Sequence, residues 1–312
     1  MNVSDATLAA PRFDVILGRC DDMRAEVYVR AAGLPAGSAA TITGTLSGPR
    51  SRFAITLPTT ASFTDLGPAP DGRSAVARAI LTEPAYWSPE LPHRYRVQAR
   101  VAGDAGPLAT LDRMVGLRRL GVRGRSFWLE GRRWVARGVA CAPSTFAPQV
   151  LRDLLAAAVL DDPDDATCAV ADEVGVGIIA RCGADPVAAL ERVSGHPSVL
   201  LAVLPIGSDA AAVLEGVQQG KGTMLLGVAA DGTAPPGPVA DGVDCVVVVL
   251  PESAVPHPAW RDPWPTLPLV AARRTSGGIA ERRHACDQLQ ADLAAWRQAA
   301  AADQDWAGYL AW

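Results

Sequence analysis

Guanidinium and carboxylate groups gather where apolar runs end. Arg137, Arg181 and Arg273, the last followed by Arg274, stand at the close of three such runs, and Asp161, Asp162, Asp164 and Asp165 follow a fourth. Two kinds of chemistry suit that pattern. Arginines and aspartates on one rim can neutralise one another, each exposed pair contributing about 0.2–1 kcal/mol. Alternatively, the planar guanidinium forks can take an anionic sugar or a carboxylate through charge-assisted hydrogen bonds. The six cysteines (Cys20, Cys141, Cys168, Cys182, Cys245 and Cys286) include no CxxC pair, and the four histidines stand far apart. Neither a zinc site nor a disulfide framework is expected from that spacing, and buried free thiols are. No metal or cofactor is expected.

Two kinds of sequence must position these groups. Residues 12–17, 25–31, 40–46, 53–57, 75–81 and 95–101 are short and β-like, and in the last Tyr95, Val97, Ala99 and Val101 share one face. Such strands with Gly/Pro/Ser turns predict an immunoglobulin-like β-sandwich. Farther on, nearly all-apolar runs at 134–139, 157–160, 176–180, 199–204, 223–228, 243–250, 267–271 and 308–312 read as parallel strands buried on both faces. Helical patterns fill the gaps near 148–156, 165–174, 186–193, 210–219 and 278–302. The fifth and sixth gaps, DGTAPPGPVADG and PESAVPHPAWRDPWPT, are too rich in proline for an ordinary helix. Eight strands imply a (β/α)8 TIM barrel, and residues 133–312 are fewer than the ~250 such a barrel typically takes, so a trimmed barrel is expected.

Residues 116–140 join the two patterns. Ser126 to Leu129 and Arg132 to Val135 are β-prone and separated only by Glu130-Gly131, the length of a two-residue hairpin turn. The expected organisation is a sandwich at 1–115, a connecting hairpin at 116–132 and a reduced barrel at 133–312.

With TEPAYWSPELPHRY (82–95) upstream of this joint and His196-Pro197-Ser198-Val199 downstream, the chain resembles glycoside hydrolase family 2, the β-galactosidase and β-glucuronidase group. In that family a Trp-Ser-Pro-Glu corner ends an immunoglobulin-like domain, and a His-Pro-Ser-Ile segment opens the barrel strand bearing the acid/base. The likeness covers roughly residues 83–312, and the order of the motifs makes it moderately specific.

The resemblance implies a retaining mechanism in which two glutamates ~5 Å apart attack and protonate the glycosidic bond. Here the acid/base position falls on Gly207 and the nucleophile position on Ala272 or Arg273. The family's D-E-x-G-x-x-V-x-x-E segment, matched from Asp172, ends on Arg181. Trp312 resembles the tryptophan that floors the family's sugar pocket. The expectation that follows is a pseudo-glycosidase, not an enzyme, serving as an accessory or scaffold subunit. Two alternatives stand beside it: a carbohydrate-binding protein preferring anionic sugars at a rim of Arg137, Asp162, Arg181, Arg273 and Trp312, and an active hydrolase with relocated carboxylates such as Asp209.

At 312 residues, 49% hydrophobic and 20% charged, the chain can bury two real cores. Lys221 is the only lysine among 29 basic residues, basic and acidic residues are interspersed, and the net charge is −4, so nucleic acid is not an expected partner. No run approaches the ~20 apolar residues of a spanning helix, and the N-terminus lacks a leader pattern, so a cytoplasmic protein is expected. The missing helices in gaps five and six leave Val246 and Val248 to be covered by something else. A protein partner or a second copy anchored on Trp260 and Trp264 would do so, as would the connector itself, folded back as a lid.

Overall fold

The computed structural model describes residues 11–312 apart from 36, 105, 218–219, 263, 265 and 303–304. Residues 1–10, on which the expectation of no leader was read, lie outside the described residues. The chain forms two compact units, one running up to Tyr86 and including His93–Leu117, the other comprising Trp87–Pro92 and Arg118–Trp312.

The first unit holds β1 (Arg12–Cys20), β2 (Arg24–Ala32), β3 (Thr41–Arg50), β4 (Thr59–Ser62), β5 (Thr64–Pro68), β6 (Ser74–Thr82), β7 (Arg94–Gly103) and β8 (Gly106–Val115). They make two antiparallel sheets, ordered β1-β2-β6-β5 and β4-β3-β7-β8. Alternation buries Val27 and Val29 from β2, Ala77 and Leu81 from β6, Ile42 and Leu46 from β3, and Val97 and Val101 from β7 in one core. Each large aliphatic side chain so buried contributes about 1.5–3 kcal/mol. Gly44 is obligatory where β3 meets β7, because a Cβ there would lie 2.0 Å from the Gln98 carbonyl oxygen.

The strand expected at 53–57 does not form, and Ile55 and Leu57 stand almost fully exposed. The place beside β3 is taken instead by the polar β4, in register from Thr45↔Ser62 to Gly48↔Thr59. As an edge strand β4 can be polar, which is why apolar periodicity missed it.

The second unit opens with a small antiparallel sheet of β9 (Leu120–Arg123), β10 (Ser126–Leu129) and β11 (Arg132–Trp134). Between β10 and β11, Glu130 (φ 50°) and Gly131 (φ 74°) supply the two positive φ values that a two-residue hairpin turn requires. Eight parallel strands then close into a barrel: β12 (Ala136–Ala140), β13 (Ala157–Asp161), β14 (Ile178–Arg181), β15 (Val199–Leu204), β16 (Leu225–Asp231), β17 (Cys245–Leu250), β18 (Leu269–Arg273) and β19 (Gly308–Ala311). Inward side chains, including Val159, Ile179, Leu201, Val203, Val247 and Leu310, pack as one cluster. That interior is full at Gly138, where a Cβ would lie 2.8 Å from Val159, Ile179 and Leu310 together.

The outward faces pack against α1 (Pro148–Asp153), α2 (Asp165–Val174), α3 (Pro186–Val193), α4 (Ala210–Gly216) and α5 (Ile279–Ala299). Asp164, Asp185 and Asp209 cap α2, α3 and α4 by accepting the amides of Thr167, Ala188 and Ala212. The helix expected at 210–219 ends at Gly216, and Gln218 and Gln219 lie outside the described residues.

The surface expected to serve as an interface is covered by the chain's own connector. Val246 and Val248 are buried in the same outer cluster as Trp260, itself only 1% exposed. Trp260 donates its indole N–H to the Ala234 carbonyl at 2.8 Å and meets Trp264 edge-on at 5.8 Å. Proline excludes an α-helix here, but a short 3-10 turn at Pro258–Arg261 lets a tryptophan do a helix's work of burial. Val246, Val248 and Trp260 are therefore core rather than exposed anchors, and Trp264 packs against them half-buried.

Candidate ligand site at the mouth of the barrel

Barrel strands offer their C-terminal ends for chemistry, because the loops that follow are free to vary while the strands hold position. Strand alternation decides which side chains reach that mouth. Ile179 and Leu310 point inward, so Arg181 and Trp312, each two residues on, come to the opening. They line a cleft of ≈ 550 Å³ together with Cys182, Ile206, Arg274 and Thr275.

The polar groups of this cleft are cationic or neutral. The Arg181 guanidinium lies 4.8 Å from the Trp312 ring centroid and its Nε is 3.0 Å from Asp161 Oδ1. The backbone of Trp312 is pinned on both sides, its N–H donating to the Arg273 carbonyl at 3.0 Å and its carbonyl accepting the Thr275 amide at 2.7 Å. The Thr275 hydroxyl is buried and, among the described residues, has no hydrogen-bond partner. Arg274 is exposed and makes no ion pair among the described residues. Burial pushes the Cys182 thiol up to about 12, so it stays protonated and is no nucleophile. On β16, Asp231 takes the Thr233 hydroxyl at 2.7 Å, which holds its carboxyl below the usual range.

Three of the expected rim residues are placed otherwise. Arg137 is the second residue of β12, not its last, and points outward to Asp287 Oδ1 (2.6 Å) and Gln290 Oε1 (2.7 Å) of α5. Arg273 is 8% exposed and also points outward, pairing with Asp292 of α5 and donating to the Ala254 carbonyl at 3.2 Å. Its neighbour Ala272 takes the inward position, where it is fully buried. Asp162 does stand past the end of β13, but its Oδ1 accepts the Gly183 amide at 2.9 Å and so supports the loop after β14. Gly207 sits in an exposed turn with φ 80°, and Asp209, the relocated-carboxylate candidate, is the cap of α4. Thr275 and Ile206 were missed. Stepping the inward phase of β18 from Ala272 to Arg274 would have reached the neighbourhood, but nothing local marks a loop threonine.

At the strand starts, the opposite end of the barrel, a buried polar cluster assembles from motifs that the sequence carried separately. His196 sits between Asp172 (Nδ1 to Oδ2, 2.7 Å) and Asp165 (Nε2 to Oδ1, 3.2 Å), and Asp172 also accepts the Ser198 amide at 2.9 Å. The Trp87 indole donates to the Asp172 carbonyl at 2.9 Å. Arg118, fully buried and lowered by that burial to about 10, donates to the carbonyls of Pro197 and Val199 and to the Thr223 hydroxyl. A second cavity of ≈ 510 Å³ lies at this end, bordered by Leu129, Trp134, Gly177 and Leu200 and by arginines already held by protein oxygens. Among the described residues no group of three or more His, Cys, Asp or Glu could hold a metal ion, and no helix is long and apolar enough to cross a membrane.

The fold, an eight-stranded parallel barrel preceded by antiparallel sheets, is similar to that of solved members of glycoside hydrolase family 2. A glycosyl hydrolase family 2 member from Bacteroides cellulosilyticus matches with a TM-score of 0.66 and 14% identity over 97% of this chain and 44% of its own. A β-glucuronidase from Ruminococcus gnavus, solved in complex with D-glucuronic acid, gives 0.66 and 14% over 96% of this chain and 60% of its own. A putative β-galactosidase from Bacteroides fragilis gives 0.60 and 12% over 86% and 47%. The chain thus spans about half the length of these proteins. No protein-family model and no curated protein matches it in sequence.

These findings correct the expectation that the chain is not an enzyme. The structures that share its fold are glycosidases by name, including a Bacteroides uniformis β-glucuronidase covalently bound to cyclophellitol-6-carboxylate aziridine. The expectation rests on motif positions placed at Gly207, at Ala272 or Arg273, and at Arg181. At 12–14% identity such positions are not defined to a single residue, and one residue decides whether a strand side chain faces the cleft or the helices.

Proposed function

We propose that this chain is a carbohydrate-binding protein of glycoside hydrolase family 2 architecture, taking an anionic saccharide at the barrel mouth. One observation carries the reading: Arg181, Arg274, Thr275 and Trp312 line one cleft of ≈ 550 Å³ at the strand ends, with the Arg181 guanidinium over the Trp312 ring. An indole beside guanidinium forks suits a sugar ring bearing a carboxylate, since the ring stacks while the anion takes paired hydrogen bonds. In the same reading residues 1–115 are an immunoglobulin-like sandwich, 116–132 the connecting hairpin and 133–312 the reduced barrel.

Calorimetric titration with sodium D-glucuronate and with D-glucose, which differ at C6, tests the site. Glucuronate is expected to bind more tightly. Arg274→Ala should weaken it about tenfold, the loss of roughly one charge-assisted hydrogen bond. Flat titrations with both sugars at millimolar concentration would sink the reading. Cleavage is followed in the same preparations with aryl β-glucuronides, and turnover that disappears in Asp161→Asn would assign that carboxylate to the chemistry.

A further inference from the structure

We infer that Arg181 sets the specificity of this mouth by covering the ring of Trp312, so that a neutral sugar must displace it while an anionic sugar recruits it. The inference rests on the saccharide reading above. Arg181 and Trp312 both line the cleft, and the guanidinium lies 4.8 Å from the ring centroid, inside the ~6 Å range of a cation–π contact. Trp312 also packs against the inner cluster of the barrel, which limits how far its ring can turn away. A sugar that stacks on this indole therefore meets a platform already occupied.

The plug is weakly held, which is what lets it act as a filter. Its partner Asp161 is 3.0 Å away, but Arg181 and Asp161 are 40% and 72% exposed, and ion pairs so open to water change an equilibrium by only a fewfold. An exposed cation–π contact contributes on the same scale. A neutral sugar must break both contacts and offers the displaced guanidinium nothing better than water. A carboxylate, sulfate or phosphate on the sugar takes the guanidinium as a bidentate partner, so the group that blocked the ring becomes part of the site. Asp161 competes for the same guanidinium and so raises the threshold for any anion.

Saturation-transfer NMR and calorimetry with D-glucuronate and D-glucose, on the full chain and on Arg181→Ala, Asp161→Asn and Trp312→Ala, test this. Arg181→Ala should weaken glucuronate about tenfold and tighten glucose a fewfold, the two sugars moving in opposite directions. Asp161→Asn should tighten glucuronate a fewfold. Loss of both sugars to the same degree in Arg181→Ala, or no change in either, would overturn the filter while leaving the saccharide site standing, since Trp312→Ala still abolishes binding. If the unmodified chain binds neither sugar, the saccharide reading fails and the filter fails with it. Thermal melts of each variant separate these outcomes from misfolding; both charged groups are partly exposed, and unchanged melting is expected.

Discussion

His196 and Asp172, 24 residues apart in the chain, meet Nδ1 to Oδ2 at 2.7 Å with both side chains nearly closed to solvent. Burial by itself would lower the histidine, but hydrogen bonds and charge from Asp172, and to a lesser degree from Asp165, hold it above its ordinary value. The folded-state value is thus higher than the unfolded one. The stability it contributes is fully present below about pH 6.5 and is lost as pH rises through the raised value. Urea denaturation across pH 5.5–8.5 should show the barrel unit weakening toward the alkaline side, and His196→Gln should flatten that slope. An unaltered slope in the variant would assign the pH dependence elsewhere.

Asp172→Asn should destabilise the barrel unit by on the order of 3 kcal/mol. The charge that faces His196 and attracts the buried Arg118 is removed, and a buried cation left without its partner is costly. A denaturant midpoint within error of the parent would contradict the placement of this cluster in the core.

Trp260→Ala removes a side chain that is 1% exposed and donates to the Ala234 carbonyl. A loss of about 3–5 kcal/mol is expected, with no change of mass by light scattering. Dissociation of an assembly without loss of stability would restore the interface that the buried position argues against.

Gly138→Ala places a methyl 2.8 Å from three inward side chains, and overpacking there should cost about 1–3 kcal/mol. Gly121→Ala, where nothing lies within 4 Å, is the control and should be close to neutral. Equal midpoints for the two variants would show that the barrel interior is looser than its packing implies.

Arg273→Ala separates the rim as expected from the sequence from the rim as built. Its guanidinium is buried between β18 and α5, where it holds Asp292 below the usual carboxylate range. Asp292 is one-third exposed, so the substitution should lower stability by about 1.5–3 kcal/mol, the loss of a hydrogen bond to a charged group, and leave saccharide titrations unchanged.

Much of the barrel was legible because the signals are local. Helices at Asp165–Val174 and Pro186–Val193 announce themselves by an aspartate cap followed within three residues by apolar periodicity, and they form over the expected residues. All eight apolar runs become barrel strands, and the prolines of the fifth and sixth gaps exclude α-helices from the described residues there. The edge strands β4, β5 and β8 have no counterpart among the expected strands, because an edge needs no apolar run.

The site was decided by tertiary structure. Arg273 and Arg274 are adjacent and chemically identical, yet a strand turns successive side chains to opposite faces, so one is buried against a helix and the other lines the cleft. Which is which depends on the phase at which β18 enters the closed sheet, set by pairing with β17 and β19 and not by any neighbour in sequence. For the same reason Asp161, Arg181 and Trp312 carry no mutual signal in the chain: parallel strands bring their ends together only when the barrel closes.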